Sequence, residues 1–94
     1  MEDNMWVITK DKIFDHSFDK KPDVGVGSKN YQEGSNLPYK FRMLDDDGEI
    51  YYYGKSDDNN SEKAFAPLDD FGMPNAGCTE IQYYDKEKKL WETL

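Results

Sequence analysis

Carboxylates, one thiol and one imidazole are the side chains here that could do chemistry. The carboxylates come in groups: Asp45-Asp46-Asp47 with Glu49 one residue beyond Gly48, then Asp57-Asp58, then Asp69-Asp70. A nucleophile needs a base within hydrogen-bond reach, and the single imidazole, His16, sits between Asp15 and Ser17. Adjacent residues on an extended chain point apart, so Asp15-His16-Ser17 is not a triad. Cys78, which follows Gly77 and precedes a strand-like run, reads as a small buried residue. One cysteine with one histidine cannot make a zinc cluster. Asp45, Asp47 and Gly48 echo a calcium loop. With Gly48 at the sixth place, however, Met43 and Gly54 occupy the first and twelfth, where oxygen ligands are required. Gly25-Val26-Gly27-Ser28 lacks the third glycine and the helix of a phosphate loop. No catalytic, metal-binding or cofactor residue is assigned, and no cofactor is expected.

Charge is the stronger signal. The 94 residues carry 20 Asp and Glu against 12 Lys and Arg, a formal charge of −8. Nine of those acids and only two bases lie between Leu44 and Gly77, so that segment alone carries −7. Such a chain repels phosphate, and direct binding to nucleic acid or to an anionic membrane is not expected. If the three acidic groups share one side, they form a patch that steers a basic partner. The competing explanation is local, since Asp suits turns for its own hydrogen bonds. Ile, Leu, Val and Phe make up only about 18% of the chain, a warning of disorder, but seven Tyr, five Phe and two Trp can build a core of rings instead.

The elements that must position these groups are mainly strands. Met5-Trp6-Val7-Ile8-Thr9 suits a pleated surface. Residues 10–38 are rich in breakers and read as loop, with a short strand at Val24 to Val26. Residues 39–54 form the clearest unit, a central hairpin turning at Asp47-Gly48 by a two-residue loop or at Asp45 to Gly48 by a four-residue one. Either loop puts Tyr39, Phe41, Met43, Ile50 and Tyr52 on a core face. Lys40, Arg42 and Leu44 then share the other face with Glu49, Tyr51 and Tyr53, where a cation can lie on a ring. A three-residue loop would mix the faces and is rejected. Ser61 caps a single helical turn that ends at Pro67, residues 68–78 are irregular, and residues 79–94 make a C-terminal hairpin. The expected fold is a single mainly β domain over residues 1–94, α+β at the margin. Its small antiparallel sheet of four to six strands is built from hairpins, with one short helix.

The run from Leu37-Pro38-Tyr39 through Asp45-Asp46-Asp47-Gly48-Glu49 to Pro67-Leu68-Asp69-Asp70-Phe71-Gly72-Met73-Pro74-Asn75-Ala76-Gly77-Cys78-Thr79-Glu80-Ile81 resembles small acidic proteins of bacteria and their phages. The resemblance implies no activity. It implies a context in which compact acidic proteins inhibit host nucleic-acid-binding or defence enzymes.

These readings give a non-enzymatic module that binds a protein with a basic surface, its carboxylates standing in for phosphates. The contact residues are Asp45, Asp46, Asp47, Glu49, Asp57, Asp58, Asp69 and Asp70, with Arg42, Tyr51 and Tyr53 as apolar and cationic anchors. The acidic start of the chain and the lack of a long apolar run point to a cytoplasmic protein of a bacterium or a phage-infected cell. The alternatives are a small-molecule binder or minor enzyme with a site near Cys78 and His16, and a structural subunit of an assembly.

Overall fold

A computed structural model describes residues 5–12 and 24–94. Five antiparallel strands, β1 (Trp6–Asp11), β2 (Tyr39–Leu44), β3 (Ile50–Ser56), β4 (Glu80–Asp85) and β5 (Leu90–Thr93), form one sheet in the order β1-β3-β2-β4-β5. Between β3 and β4 the chain crosses one face of the sheet as a 3-10 turn (Glu62–Phe65), a π turn (Leu68–Gly72) and the short helix α1 (Met73–Ala76). The mainly β class and the hairpin construction expected from the residues are what the structure has. None of the helices among the described residues is long and apolar enough to cross a membrane.

The central hairpin turns differently from expectation. Asp45 N–H donates to the Glu49 carbonyl at 3.0 Å and Gly48 N–H to the Asp45 carbonyl at 3.1 Å, which leaves a three-residue loop, Asp46 to Gly48. Gly48 takes the left-handed conformation, φ +83°, that closes such a loop. Leu44 accordingly pairs with Ile50, yet the next partner of Met43 is Tyr52, because the register shifts between Met43 and Leu44. The extra residue restores the alternation that the odd loop would have reversed. Phe41, Met43 and Tyr52 are therefore fully buried, as the alternation requires. Tyr39, at the strand's open end, is exposed, and Ile50, beside the turn, is half-buried.

The helical stretch is longer than expected. Ser61 does cap it, its Oγ accepting the Lys63 N–H at 3.1 Å. Pro67 does not end it, because a residue without an N–H is tolerated at the first turn of the next helical segment. Ala64, Leu68 and Phe71 follow at spacings of four and three, so all three face the sheet and are buried there. The core they complete is largely aromatic. Phe71 lies 4.9 Å from the Tyr52 ring and 6.1 Å from Trp6, and Phe41 lies 5.8 Å from Tyr83. Each such pair adds about 0.5–1.5 kcal/mol to the burial of its rings. The Tyr83 hydroxyl donates to the Ala64 carbonyl at 2.7 Å and so fastens β4 to the helical layer.

The sheet's two edges differ. Along β1, Ile8 N–H donates to Val26 O, Gly25 N–H to Ile8 O and Ser28 N–H to Trp6 O, at 2.7 to 2.9 Å. The expected strand at Val24 to Val26 is thus a short hydrogen-bonded cover with one bridge, Val7 to Gly27. Residues 13–23 of the loop-rich segment, His16 among them, lie outside the described residues.

Gly54, in the middle of β3, marks the tightest approach in the core. A Cβ there would stand 2.3 Å from Phe41 Cζ and 2.4 Å from the Val7 carbonyl oxygen, and the latter is backbone that cannot swing away. Gly54→Ala should therefore destabilise the fold by about 2–3 kcal/mol, lowering Tm by roughly 10–20 °C. Lys55→Ala, next to it but exposed, should change Tm by less than about 4 °C. Thermal melts followed by far-UV circular dichroism check this, and equal Tm values for the two variants would contradict the packing described.

Candidate functional site

The acidic residues are distributed by the fold into three places. Asp45, Asp46, Asp47 and Glu49 sit at the β2–β3 turn, whereas Asp57 and Asp58 follow β3 at its other end. The seven residues of β3 hold those two groups roughly 20 Å apart. Asp69 and Asp70 are exposed on the helical layer, the residues beside them, Leu68 and Phe71, being the ones turned to the core.

Several of these carboxylates build turns. Asp45 Oδ1 accepts the N–H groups of Asp47 and Glu49, both at 2.9 Å, and Oδ2 accepts the Tyr51 hydroxyl at 2.9 Å. These bonds, that from the Glu49 backbone foremost, hold its carboxyl below the ordinary range, and the same contact pushes the Tyr51 phenol up. One carboxylate oxygen each of Asp45, Asp46 and Asp47 lie within 4.8 Å of one another. Asp45 already spends both of its oxygens on the turn, which leaves Asp46, Asp47 and Glu49 as the outward carboxylates. Asp57 Oδ1 accepts the Met5 N–H at 3.0 Å, and Asp58 accepts from Asn60 and Ser61 N–H and from the Ser61 hydroxyl.

The face of the sheet away from the helical layer brings other residues together. Register places Lys40, Arg42, Tyr53, Lys55, Gln82, Tyr84, Trp91 and Thr93 on it. A register shift between Ile8 and Lys10 adds Lys10, now opposite Tyr53. The Arg42 guanidinium lies 4.5 Å over the Trp91 ring, and Trp91 meets Tyr84 at 5.3 Å and Tyr53 at 6.1 Å, both nearly edge-on. Arg42 Nε donates to Gln82 Oε1 at 2.6 Å, and Gln82 Nε2 donates to Glu80 at 2.6 Å and to the Thr93 hydroxyl at 3.3 Å. Thr93 in turn donates to Glu80. Hydrogen bonds from Thr93 and Gln82, with the charge of Arg42, hold the Glu80 carboxyl low. This chain of bonds aims Arg42 at the ring rather than leaving it free to roam.

Arg42 and Tyr53, expected as anchors, are thus both in this cluster, and the expected cation on a ring is present. The ring is Trp91, however, and Tyr51 is not a member. As the extra residue of the bulge, Tyr51 packs against the core cluster and bonds to Asp45. Trp91 and Tyr84 were missed. The period-two spacing of Trp91 with Thr93 and of Gln82 with Tyr84 was visible, but not that β4 would lie beside β2.

Cys78 is fully buried, and burial pushes its thiol up to about 11. It is a core residue, not an available nucleophile at neutral pH. An open groove of about 530 Å³ does exist, but it lies between Tyr39, Tyr83, Asp85, Glu92 and Leu94, away from Cys78. Comparisons with protein-family models, with curated proteins and with solved structures find no match to this chain.

Asp45 gives a pH test of the turn. A carboxyl held low in the folded state stabilises above its unfolded pKa, and that contribution is lost as pH falls below about 4. Asp45→Ala should lower Tm at pH 7 and show a smaller further drop between about pH 5 and pH 2 than the parent chain. Melts across that range check it; parallel pH curves for the two proteins would contradict the role given to Asp45.

Proposed function

We propose that this chain is a non-enzymatic binding protein whose contact surface is the helix-free face of its sheet. The observation that supports this is the Arg42–Trp91 stack with Tyr53 and Tyr84 around it. Trp, Tyr and Arg are the residues that dominate binding energy when a partner covers them. Here they are half-buried, Arg42 is tied to Gln82 and the rings pack on one another, so little side-chain entropy remains to be lost on binding.

A second reading keeps the acidic turn as the contact. Asp46, Asp47 and Glu49 are exposed together at the hairpin tip and could meet a basic protein surface as phosphate stand-ins. In that reading Asp57 and Asp58, at the far end of β3, do not share the same contact.

Affinity capture from cell lysate with three baits separates the two. The parent chain should retain a partner, and an Arg42→Glu, Trp91→Ala chain should lose it. An Asp46→Asn, Asp47→Asn, Glu49→Gln chain should keep it. The opposite pattern, with the tip variant losing the partner and the face variant keeping it, would replace the face by the acidic tip.

A further inference from the structure

The charges borne by the strands are sorted by face, and the sorting runs against the net charge of the whole chain. Lys10, Lys40, Arg42 and Lys55 all fall on the helix-free face. Of the strand acids, Asp11, Asp85 and Glu92 fall on the opposite one, in register with Tyr52, Leu90 and Tyr83. Glu80, the strand acid on the same face as Arg42, has its carboxylate engaged by Gln82 and Thr93. Of the described turn and loop acids, Asp45, Asp46, Asp47, Glu49, Asp57 and Asp58 stand at the sheet's ends, and Asp69 and Asp70 on the helical layer. An acidic protein therefore carries a local basic surface.

Two details give that surface a chemical preference. Lys40 and Lys55 are direct cross-strand partners and exposed. Like charges so placed repel, and a bound anion relieves the repulsion. None of Lys10, Lys40 and Lys55 is in an ion pair among the described residues, where Lys88–Glu92 is the bridge formed. Between and beside these cations stand the planar groups Tyr53, Tyr84, Trp91 and the Arg42 guanidinium. Cations that follow a backbone and rings on which bases stack are together the requirements of a single-stranded nucleic acid. An acidic peptide would satisfy the lysines and leave the rings unused.

We infer that the helix-free face binds single-stranded nucleic acid, with Lys10, Lys40 and Lys55 on phosphates and the Trp91–Arg42–Tyr53 cluster against bases. This rests on the reading of that face as the contact surface and departs from the expectation, drawn from net charge alone, that nucleic acid is no direct partner.

The test is fluorescence anisotropy of a labelled oligo-dT of about 12 nucleotides with the full chain, at low and rising salt. Saturable binding should weaken with a log–log salt slope of about −2, three lysines at roughly −0.7 each. Trp91→Ala should lower affinity about tenfold or more. The Lys40→Ala, Lys55→Ala chain, altered only at exposed positions, should weaken binding and flatten the slope, and it serves if the Trp91 variant fails to fold. Polyglutamate of matched charge should compete poorly. Absence of binding overturns the inference, as does equal competition by polyglutamate, which would make the partner an acidic protein. Should the oligonucleotide fail while the Arg42→Glu, Trp91→Ala chain still loses its captured partner, the nucleic-acid inference falls and the contact face stands.

Discussion

Register is the constraint on which the molecule depends. Side chains alternate strictly along a strand, so a slip of one residue exchanges the faces of everything beyond it. The sheet contains two such slips, between Ile8 and Lys10 and between Met43 and Leu44. The second offsets the odd-numbered loop at Asp46 to Gly48 and keeps Phe41 and Met43 with Tyr52 in the core. The first turns Lys10 away from Tyr52 and toward Tyr53. Without them the core would receive a lysine, and the rings that should fill it would face outward. The aromatic core and the places of Lys10 and Tyr53 on the helix-free face therefore depend on the same two irregularities.

The second theme is the division of aromatic residues between the faces. With few aliphatic residues available, Trp6, Phe41, Tyr52, Phe71 and Tyr83 fill the core, each burying more area than a leucine. A second set, Tyr53, Tyr84 and Trp91, lies across the sheet with Arg42 stacked on it. The consecutive Tyr51-Tyr52-Tyr53 and Tyr83-Tyr84 pairs serve both sets, since neighbours on a strand point to opposite faces. Tyr51 departs from this rule because it is the bulge residue.

Much of the fold was legible in the residues. The strand at Trp6 to Thr9, the central and C-terminal hairpins, the cap at Ser61 and the burial of Phe41, Met43 and Tyr52 follow from alternation and turn chemistry, which are local. What was not legible was non-local or depended on one extra residue. A bulge leaves no mark in composition, so the three-residue loop looked forbidden. Pro67 looked like a stop because a proline inside a helix and one opening the next turn read alike. Arg42 could not be matched to Trp91, since strand order across a sheet is set by packing. The acids looked like one patch because they are close in sequence, and β3 then holds two of their groups at opposite ends.

The claim underlying the rest is that the register of the sheet brings Arg42, Trp91 and Tyr53 together on one face, Trp91 through the unshifted β2–β4–β5 pairs and Tyr53 through the shift between Met43 and Leu44. Solution NMR of the chain tests it most directly, through nuclear Overhauser contacts between the Trp91 indole and the Arg42 side chain together with the Arg42 methylene shifts. The account predicts those contacts, with the methylenes moved upfield by the ring beneath them and Tyr53 ring contacts to the same indole. Arg42 methylenes at unperturbed shifts, with no Trp91 contact in a folded spectrum, would contradict it.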